Sequence, residues 1–326
     1  MTKVFITGGA GYVGAVLTPY LLDKGYEVKV LDLMIYGEKV LQEHKNLKIL
    51  KGDIRDLKLI ERESKKCDVF IHLACISNDP SFELNPKLGK SINLDAFEPI
   101  VKIAKKNSIS RFIYASSSSV YGVKKAQNVN EEMNLEPITD YSRFKADCEK
   151  ILLKYLSKDF IPIIIRPATV CGYSPRQRLD VVVNILTNLA FHKKEISVFG
   201  GDQLRPNIHI HDMVRAYISL IEAEKKLVSG QIFNAGFENQ TVNELALLVK
   251  KVIGDNVKIK KIKSNDDRSY HISSKKIEKI LGFKAEKTIE DAVIELKNAF
   301  VTKKLNDTLS NEFYFNIKRM NNINLK

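Results

Sequence analysis

The chain has 326 residues, 44% of them apolar, which is enough for a large core and more than one typical domain. No run approaches the ~20 apolar residues of a membrane-spanning helix, and the first apolar strand begins at once with no leader pattern, so the expected place is cytoplasmic with no membrane partner. Four scattered cysteines (Cys67, Cys75, Cys148, Cys171) form no Cys-x-x-Cys pair, and the lysines behind the net charge of +13 are dispersed over amphipathic helices, so neither structural zinc nor a nucleic-acid partner is expected.

The first apolar run, Val4-Phe5-Ile6, leads into Thr7-Gly8-Gly9-Ala10-Gly11-Tyr12-Val13-Gly14, and Val16, Leu17, Leu21 and Leu22 then recur at helical spacing. Strand, glycine turn and helix in this order suit a pyrophosphate. Gly8 and Gly11 can take positive φ and admit close approach, Gly14 lets helix and strand pack, and the helix N-terminus offers N–H groups and partial positive charge. The second run, Glu27 to Leu31, ends on Asp32, where a carboxylate accepts the hydroxyls of an adenosine ribose and repels a 2′-phosphate. Further runs at Leu47 to Leu50, Val69 to Leu73, Phe112 to Ala115 and Ile161 to Ile165 alternate with helical periodicity. Together they predict a doubly wound parallel sheet.

Ala115-Ser116-Ser117-Ser118-Ser119-Val120-Tyr121-Gly122 follows the fifth predicted strand and places serine hydroxyls at the carboxyl edge of the sheet, where ligands bind in such folds. Tyr141 and Lys145 lie one turn apart on a predicted helix from Asp140 towards Leu156, and an ammonium so placed favours a phenolate. After Pro167 the pattern changes to a loop (Gly172 to Leu179), a helix (Asp180 to His192), a short strand (Ile196 to Phe199) and mixed elements broken at Pro175 and Pro206. The expected division is 1–165 for the dinucleotide-binding domain, 166–304 for a smaller mixed α/β substrate domain, and 305–326 for a loosely held polar tail. His209 and His211 alternate as strand ligands do, but no acid or cysteine stands at ligand spacing, so no metal is expected.

Taken together, the glycine turn, Asp32, the serine-rich strand end and Tyr141-x-x-x-Lys145 resemble the extended short-chain dehydrogenase/reductase family with its Rossmann fold. More narrowly, they resemble the NAD-dependent nucleotide-sugar epimerases and dehydratases of UDP-glucose 4-epimerase type, over Met1 to about Ala299. The resemblance implies Ser117, Tyr141 and Lys145 as the catalytic set. For NAD it implies Gly8, Gly11, Tyr12, Val13 and Gly14 at the pyrophosphate, Asp32 and Leu33 at the ribose, Asp53 and Ile54 at the adenine, and Leu73, Ala74, Ser116 and Pro167 along the cofactor with Tyr141 and Lys145. It also implies substrate contacts from Ser117, Ser118, Thr169 and Asn184, diphosphate contacts from Arg205 and Arg268, and a homodimer paired through the helices around Leu88 to Lys106 and Asp140 to Leu156.

Departures matter as much. Thr169 stands where relatives commonly have Asn, and Cys75 and Cys171 read as packing variants rather than nucleophiles. Ser118 and Ser119 replace the Asp-Glu pair with which the 4,6-dehydratases eliminate water, and hydroxyls cannot act as that acid and base near neutral pH. The 3,5-epimerase pattern, with Cys at position 119, is absent as well. The expected chemistry is oxidation of a nucleoside diphosphate sugar hydroxyl, at C4, giving an epimer; the alternative is a net 4-dehydrogenase or keto-reductase. A module that only bound NAD would need none of Ser117, Tyr141 and Lys145 together.

Overall fold

The six apolar runs of the first half all become strands of one sheet. The computed structural model describes residues 1–124, 126, 128–263, 269 and 271–325. It has β1 (Lys3–Thr7), β2 (Glu27–Asp32), β3 (Leu47–Lys51), β4 (Val69–His72), β5 (Arg111–Ala115) and β6 (Ile161–Pro167), then β7 (Thr169–Cys171), β8 (Glu195–Phe199), β9 (Leu204–His209), β10 (Ile232–Ala235), β11 (Glu238–Thr241) and β12 (Lys258–Ile262). The large sheet runs β10-β6-β5-β4-β1-β2-β3 with every neighbouring pair parallel. Side chains alternate between its two buried faces. Val4, Ile6, Val28, Val30, Ile71, Ile113 and Ile163 enter one core cluster, while Phe5, Leu31, Phe70, Phe112, Tyr114 and Ile164 enter the other. Burial on both faces is why these strands read as continuous apolar runs.

The seventh strand, β10, has no counterpart among the expected strands. It is four residues, Ile-Phe-Asn-Ala, whose pairing with β6 depends on the chain returning after a long excursion. That excursion begins inside the 166–304 block, so the chain crosses between the two units more than once. The smaller unit holds a three-stranded sheet, β11-β9-β7, and a parallel β8-β12 pair. Helices Val182–Lys193, Val242–Ile253 and Ile289–Val301 close a core around Val183, Leu186, Leu245, Val249 and Val293. Among the described residues no helix is long and apolar enough to cross a membrane.

The polar tail is docked rather than loose. Residues Asn316–Ile323 form a helix in which Asn316 and Met320 are buried, because this segment finds hydrogen-bond acceptors and an apolar seat in the main body. Arg319 donates to the Ile35 carbonyl at 2.5 Å, and Asn316 donates its backbone N–H to Asp180 at 2.9 Å.

One buried network locks helix Asp140–Leu153 to the sheet. Glu149 on this helix meets Arg166 on β6 through two hydrogen bonds, Nε to Oε1 at 2.9 Å and Nη2 to Oε2 at 2.6 Å, with both side chains 3% exposed. Ser116, just past β5, donates to the same carboxylate. Arg166 also donates to the Tyr121 hydroxyl, which donates to Asn234 on β10, each at 2.7 Å. The fork is bidentate and fully enclosed, so removing one partner strands a buried charge. Glu149→Ala is expected to destabilise the protein by about 3–5 kcal/mol in urea denaturation. A cost under about 1 kcal/mol, the range of an exposed pair, would show the network to be dispensable.

Candidate active site

In the large sheet the strand order reverses between β1 and β4, and a crevice opens beyond their carboxyl ends. The two strand ends are tied there by Thr7 Oγ1 and His72 Nδ1 at 2.8 Å. Burial, helped by the Lys145 charge, pushes the His72 imidazole down to about 3, so it stays neutral and serves as a structural pin. Gly8 follows β1 with φ +75°, and a Cβ on it would stand 2.6 Å from the Ala74 nitrogen. Only glycine fits that contact. Gly14 needs its glycine equally, since a Cβ there would lie 2.5 Å from the Gly9 carbonyl oxygen. Gly11 departs from expectation: its φ is not positive, and its role is room above the Gly8 carbonyl, whose oxygen would stand 3.1 Å from a Cβ at this position.

The helix that follows, Gly14–Asp23, starts with no side-chain cap at Val13 and no acidic residue in its first turn. Its N-terminus therefore suits an anion. At the end of β2 the Asp32 carboxylate is fixed by the N–H groups of Ala10 (3.0 Å) and Met34 (2.8 Å), while burial pulls its carboxyl above the ordinary range. The residues present thus fit a dinucleotide: a glycine cradle, an uncapped helix start and an oriented ribose acceptor in a row.

They line a cleft of about 560 Å³. Of the residues expected at the site, Gly8, Gly11, Tyr12, Val13, Gly14, Asp32, Leu33, Asp53, Ile54, Leu73, Ala74, Ser116, Ser117, Ser118, Tyr141, Lys145, Pro167, Thr169 and Arg205 all face it. Asn184 does not. It is wholly buried behind the wall, where its amide accepts from Gly172 N (3.1 Å) and donates to Tyr12 Oη (2.9 Å) and the Arg178 carbonyl (2.8 Å). Its polarity satisfies the turn after β7 and leaves nothing for a substrate. Arg268 lies outside the described residues.

At the catalytic end the Ser117 hydroxyl is 2.9 Å from that of Ser119 and near enough to Tyr141 to lower its phenol. Tyr141 starts helix Asp140–Leu153 behind a Thr139 cap, and Ser142 of the Tyr-Ser-Arg-Phe-Lys run completes the capping box, which fixes where the phenol leaves the helix. Lys145, buried, donates to the Ala115 carbonyl at 2.6 Å, with its Nζ 5.8 Å from the Tyr141 ring centre. Burial pushes the Tyr141 phenol well above its ordinary value, outweighing the lowering by the Arg178 charge and the Ser117 hydroxyl. The lowering expected from the Lys145 ammonium does not outweigh that burial.

Sequence reasoning passed over several lining residues. Tyr36, Ser77, Asp79, Arg176, Arg178 and Asp180 face the cleft, as do Met320 and Leu325 from the tail. The visible clue was Ser174-Pro175-Arg176-Gln177-Arg178-Leu179, two cations ahead of an apolar helix. Outside the cleft lining, His209 and His211 both approach Glu295 at 3.4 Å, an acid some 80 residues on that spacing could not supply. No group of metal-ligating side chains assembles among the described residues.

Known proteins resemble this one in sequence and in fold. The model for the NAD dependent epimerase/dehydratase family matches residues 4–236. The chain is 31% identical over 266 residues to an uncharacterized UDP-glucose epimerase of Bacillus subtilis, 77% of this chain and 82% of that one. It is 29% identical over 263 residues to a dTDP-D-glucose 4,6-dehydratase of Dictyostelium discoideum, 74% of this chain but 59% of the longer relative. Its fold matches the crystal structure of a UDP-glucose 4-epimerase from Thermotoga maritima with UDP-glucose at a TM-score of 0.84 and 24% identity, over 93% of this chain and all of that one.

A carboxylate held by two backbone N–H groups repels a 2′-phosphate in a partly desolvated pocket. Calorimetric titration is expected to show NAD binding at least about tenfold tighter than NADP, and Asp32→Ala to narrow the gap. Equal affinities in the unaltered protein would remove Asp32 from this role.

Proposed function

Because the chain belongs to the NAD-dependent epimerase/dehydratase family and is an enzyme with NAD as its cofactor, we propose that it oxidises a hydroxyl, at C4, of a nucleoside diphosphate sugar and returns the hydride to make an epimer. The observation that carries this reading is the convergence of Ser117, Tyr141 and Lys145 at one end of the NAD cleft, with Ser118 and Ser119 where elimination would need a carboxylic acid and a carboxylate.

In this reading Tyr141 Oη takes the proton of the sugar hydroxyl, and the Ser117 hydroxyl, which lines the same end of the cleft, polarises the same oxygen. Bound in the cleft, NAD supplies the hydride acceptor and a positive nicotinamide ring that adds to the charges favouring the phenolate. Lys145 holds its ammonium against Ala115 and faces the Tyr141 ring, so it orients as well as charges this end of the site. Arg205, on β9 across the cleft, suits the substrate diphosphate, since a guanidinium can grip two phosphate oxygens at once. The same arrangement would also serve a net 4-dehydrogenase or keto-reductase, in which the keto sugar leaves or arrives. Pairing of two copies through helices Phe97–Lys106 and Asp140–Leu153 belongs to the proposal.

Turnover of a panel of nucleotide sugars, with mass and NADH absorbance followed together, tests the reading. An epimer keeps its mass and a keto product loses two hydrogens; loss of water as the main outcome would falsify it. Tyr141→Phe is expected to lower activity by about 10²–10⁴-fold, the contribution of a positioned general base, with NAD affinity retained. The sign of the pH effect follows from charge. Lys145→Met removes an ammonium that favours the phenolate, so activity should appear at higher pH than in the unaltered enzyme. A rate profile unmoved along the pH axis would deny Lys145 that part. Arg205→Ala should weaken UDP binding about 10- to 100-fold by calorimetry while sparing NAD; unchanged UDP affinity would take Arg205 out of the site.

A further inference from the structure

Loop 172–181 carries two guanidinium groups with too few partners, one buried and one 12% exposed. Arg176 is 3% exposed, stacks on Tyr36 with its Cζ 3.7 Å from the ring centre, and donates only to neutral oxygens: Asn316 Oδ1 at 2.5 Å and the Gln177 carbonyl at 3.4 Å. Its Nε is buried with no hydrogen-bond partner. Arg178 shares its charge with Asp180 through Nε at 2.8 Å and reaches Ser77 Oγ at 3.4 Å, yet its Nη2 is also buried without a partner. Of the carboxylates near these two cations, Asp32 and Asp180, only Asp180 makes an ion pair with either, and it also accepts the Asn316 N–H. An uncompensated buried charge and an orphaned donor each cost free energy unless a ligand supplies the missing partner.

Both side chains line the NAD cleft, so the missing partner is an anion in it. Their neighbours locate that anion along the cleft. Arg176 stacks on Tyr36, four residues beyond Asp32 at the ribose end; the loop that carries Arg178 is tied to the glycine turn, Ser174 Oγ donating to the Tyr12 carbonyl at 2.8 Å and Tyr12 Oη to the Gly172 carbonyl at 2.7 Å, and the Arg178 charge reaches Tyr141 at the catalytic end. Between those two ends a dinucleotide has its diphosphate.

We propose that Arg176 and Arg178 form a second anion clamp, which closes on the diphosphate of NAD from the side opposite the glycine turn, with Asn316 of the C-terminal helix bracing Arg176. The glycine turn then supplies backbone N–H groups from the large sheet, and the arginines supply forked charge from the loop after β7. Asn316 ties this clamp to two more elements, since its Nδ2 donates to Ser77 Oγ at 3.0 Å. The tail helix therefore lies outside the family match at 4–236 yet contributes to the cofactor site. The substrate's diphosphate is the other source of such an anion, and it distinguishes the arms of the test.

Equilibrium binding, which needs no turnover, decides between them. NAD, ADP, AMP and, at saturating NAD, UDP are titrated into the full chain and into Arg178→Gln, Arg178→Lys and Asn316→Ala, each checked by thermal melting. Arg178→Gln is expected to weaken NAD and ADP about 10- to 100-fold, AMP by much less, and UDP little. Arg178→Lys keeps the charge but loses the fork, so it retains the fold and gives the same ranking with a smaller loss; Asn316→Ala lowers NAD and ADP affinity a few-fold. Unchanged ADP affinity in both arginine variants overturns the proposal. So does a loss confined to UDP, which would assign the clamp to the substrate.

Discussion

The Glu149–Arg166 pair is the constraint on which the site depends. Tyr141 and Lys145 share helix Asp140–Leu153 with Glu149, and Arg166 comes from the strand beside the serine-rich end of β5. Charge-assisted forks tolerate little sliding, so the helix has one position along the sheet edge and Tyr141 has one place opposite Ser117. An apolar pair of similar volume could hold the helix down with equal or greater stability. What it would lack is direction: Ser116 and Tyr121 hang from the same two side chains, and Tyr121 passes the network on to Asn234, bringing β5, the serine turn and β10 into one register. Position here matters more than stability.

Around that frame the cleft is lined from two sides. On the sheet side glycine and backbone N–H groups stand beside the Asp32 carboxylate and the Ser117, Tyr141 and Lys145 set, with His72 held neutral as a pin between β1 and β4. On the side of the smaller unit stand charged side chains, Arg176, Arg178, Asp180 and Arg205. The arginines all come from the smaller unit, which suits ligands bearing two diphosphates, one in the cofactor and one in the proposed substrate. The burial that raises the Tyr141 phenol has the same origin, because a cleft closed enough to strengthen charge interactions also desolvates its acids.

Much of this was legible in the chain. The strands of the large sheet are buried on both faces, which writes them as unbroken apolar runs, and the turn after β1 needs glycines for steric reasons visible in Gly8 against Ala74. The serine-rich strand end and the Tyr141–Lys145 spacing follow from one helical turn and one sheet edge. What stayed hidden depends on long-range closure. β10 is too short to announce itself, Asn184 looks like a ligand contact until its three amide bonds are seen to end inside the wall, and Glu295 meets the two histidines only through the fold. The tail reads as polar and loose because Asn316 and Arg319 are polar, yet their partners, Arg176, Asp180 and the Ile35 carbonyl, lie more than 130 residues away.

The central claim is oxidation of a sugar hydroxyl with no elimination and no enol. It is tested most directly by running the reaction in D₂O and reading carbon-bound deuterium in the product by NMR. Direct hydride removal and return, with Tyr141 exchanging only an oxygen-bound proton, predicts a product free of solvent deuterium on carbon. A product carrying one solvent deuterium on C5 or C6 would contradict the account, since it requires a carbon acid and base of the kind that Ser118 and Ser119 cannot supply.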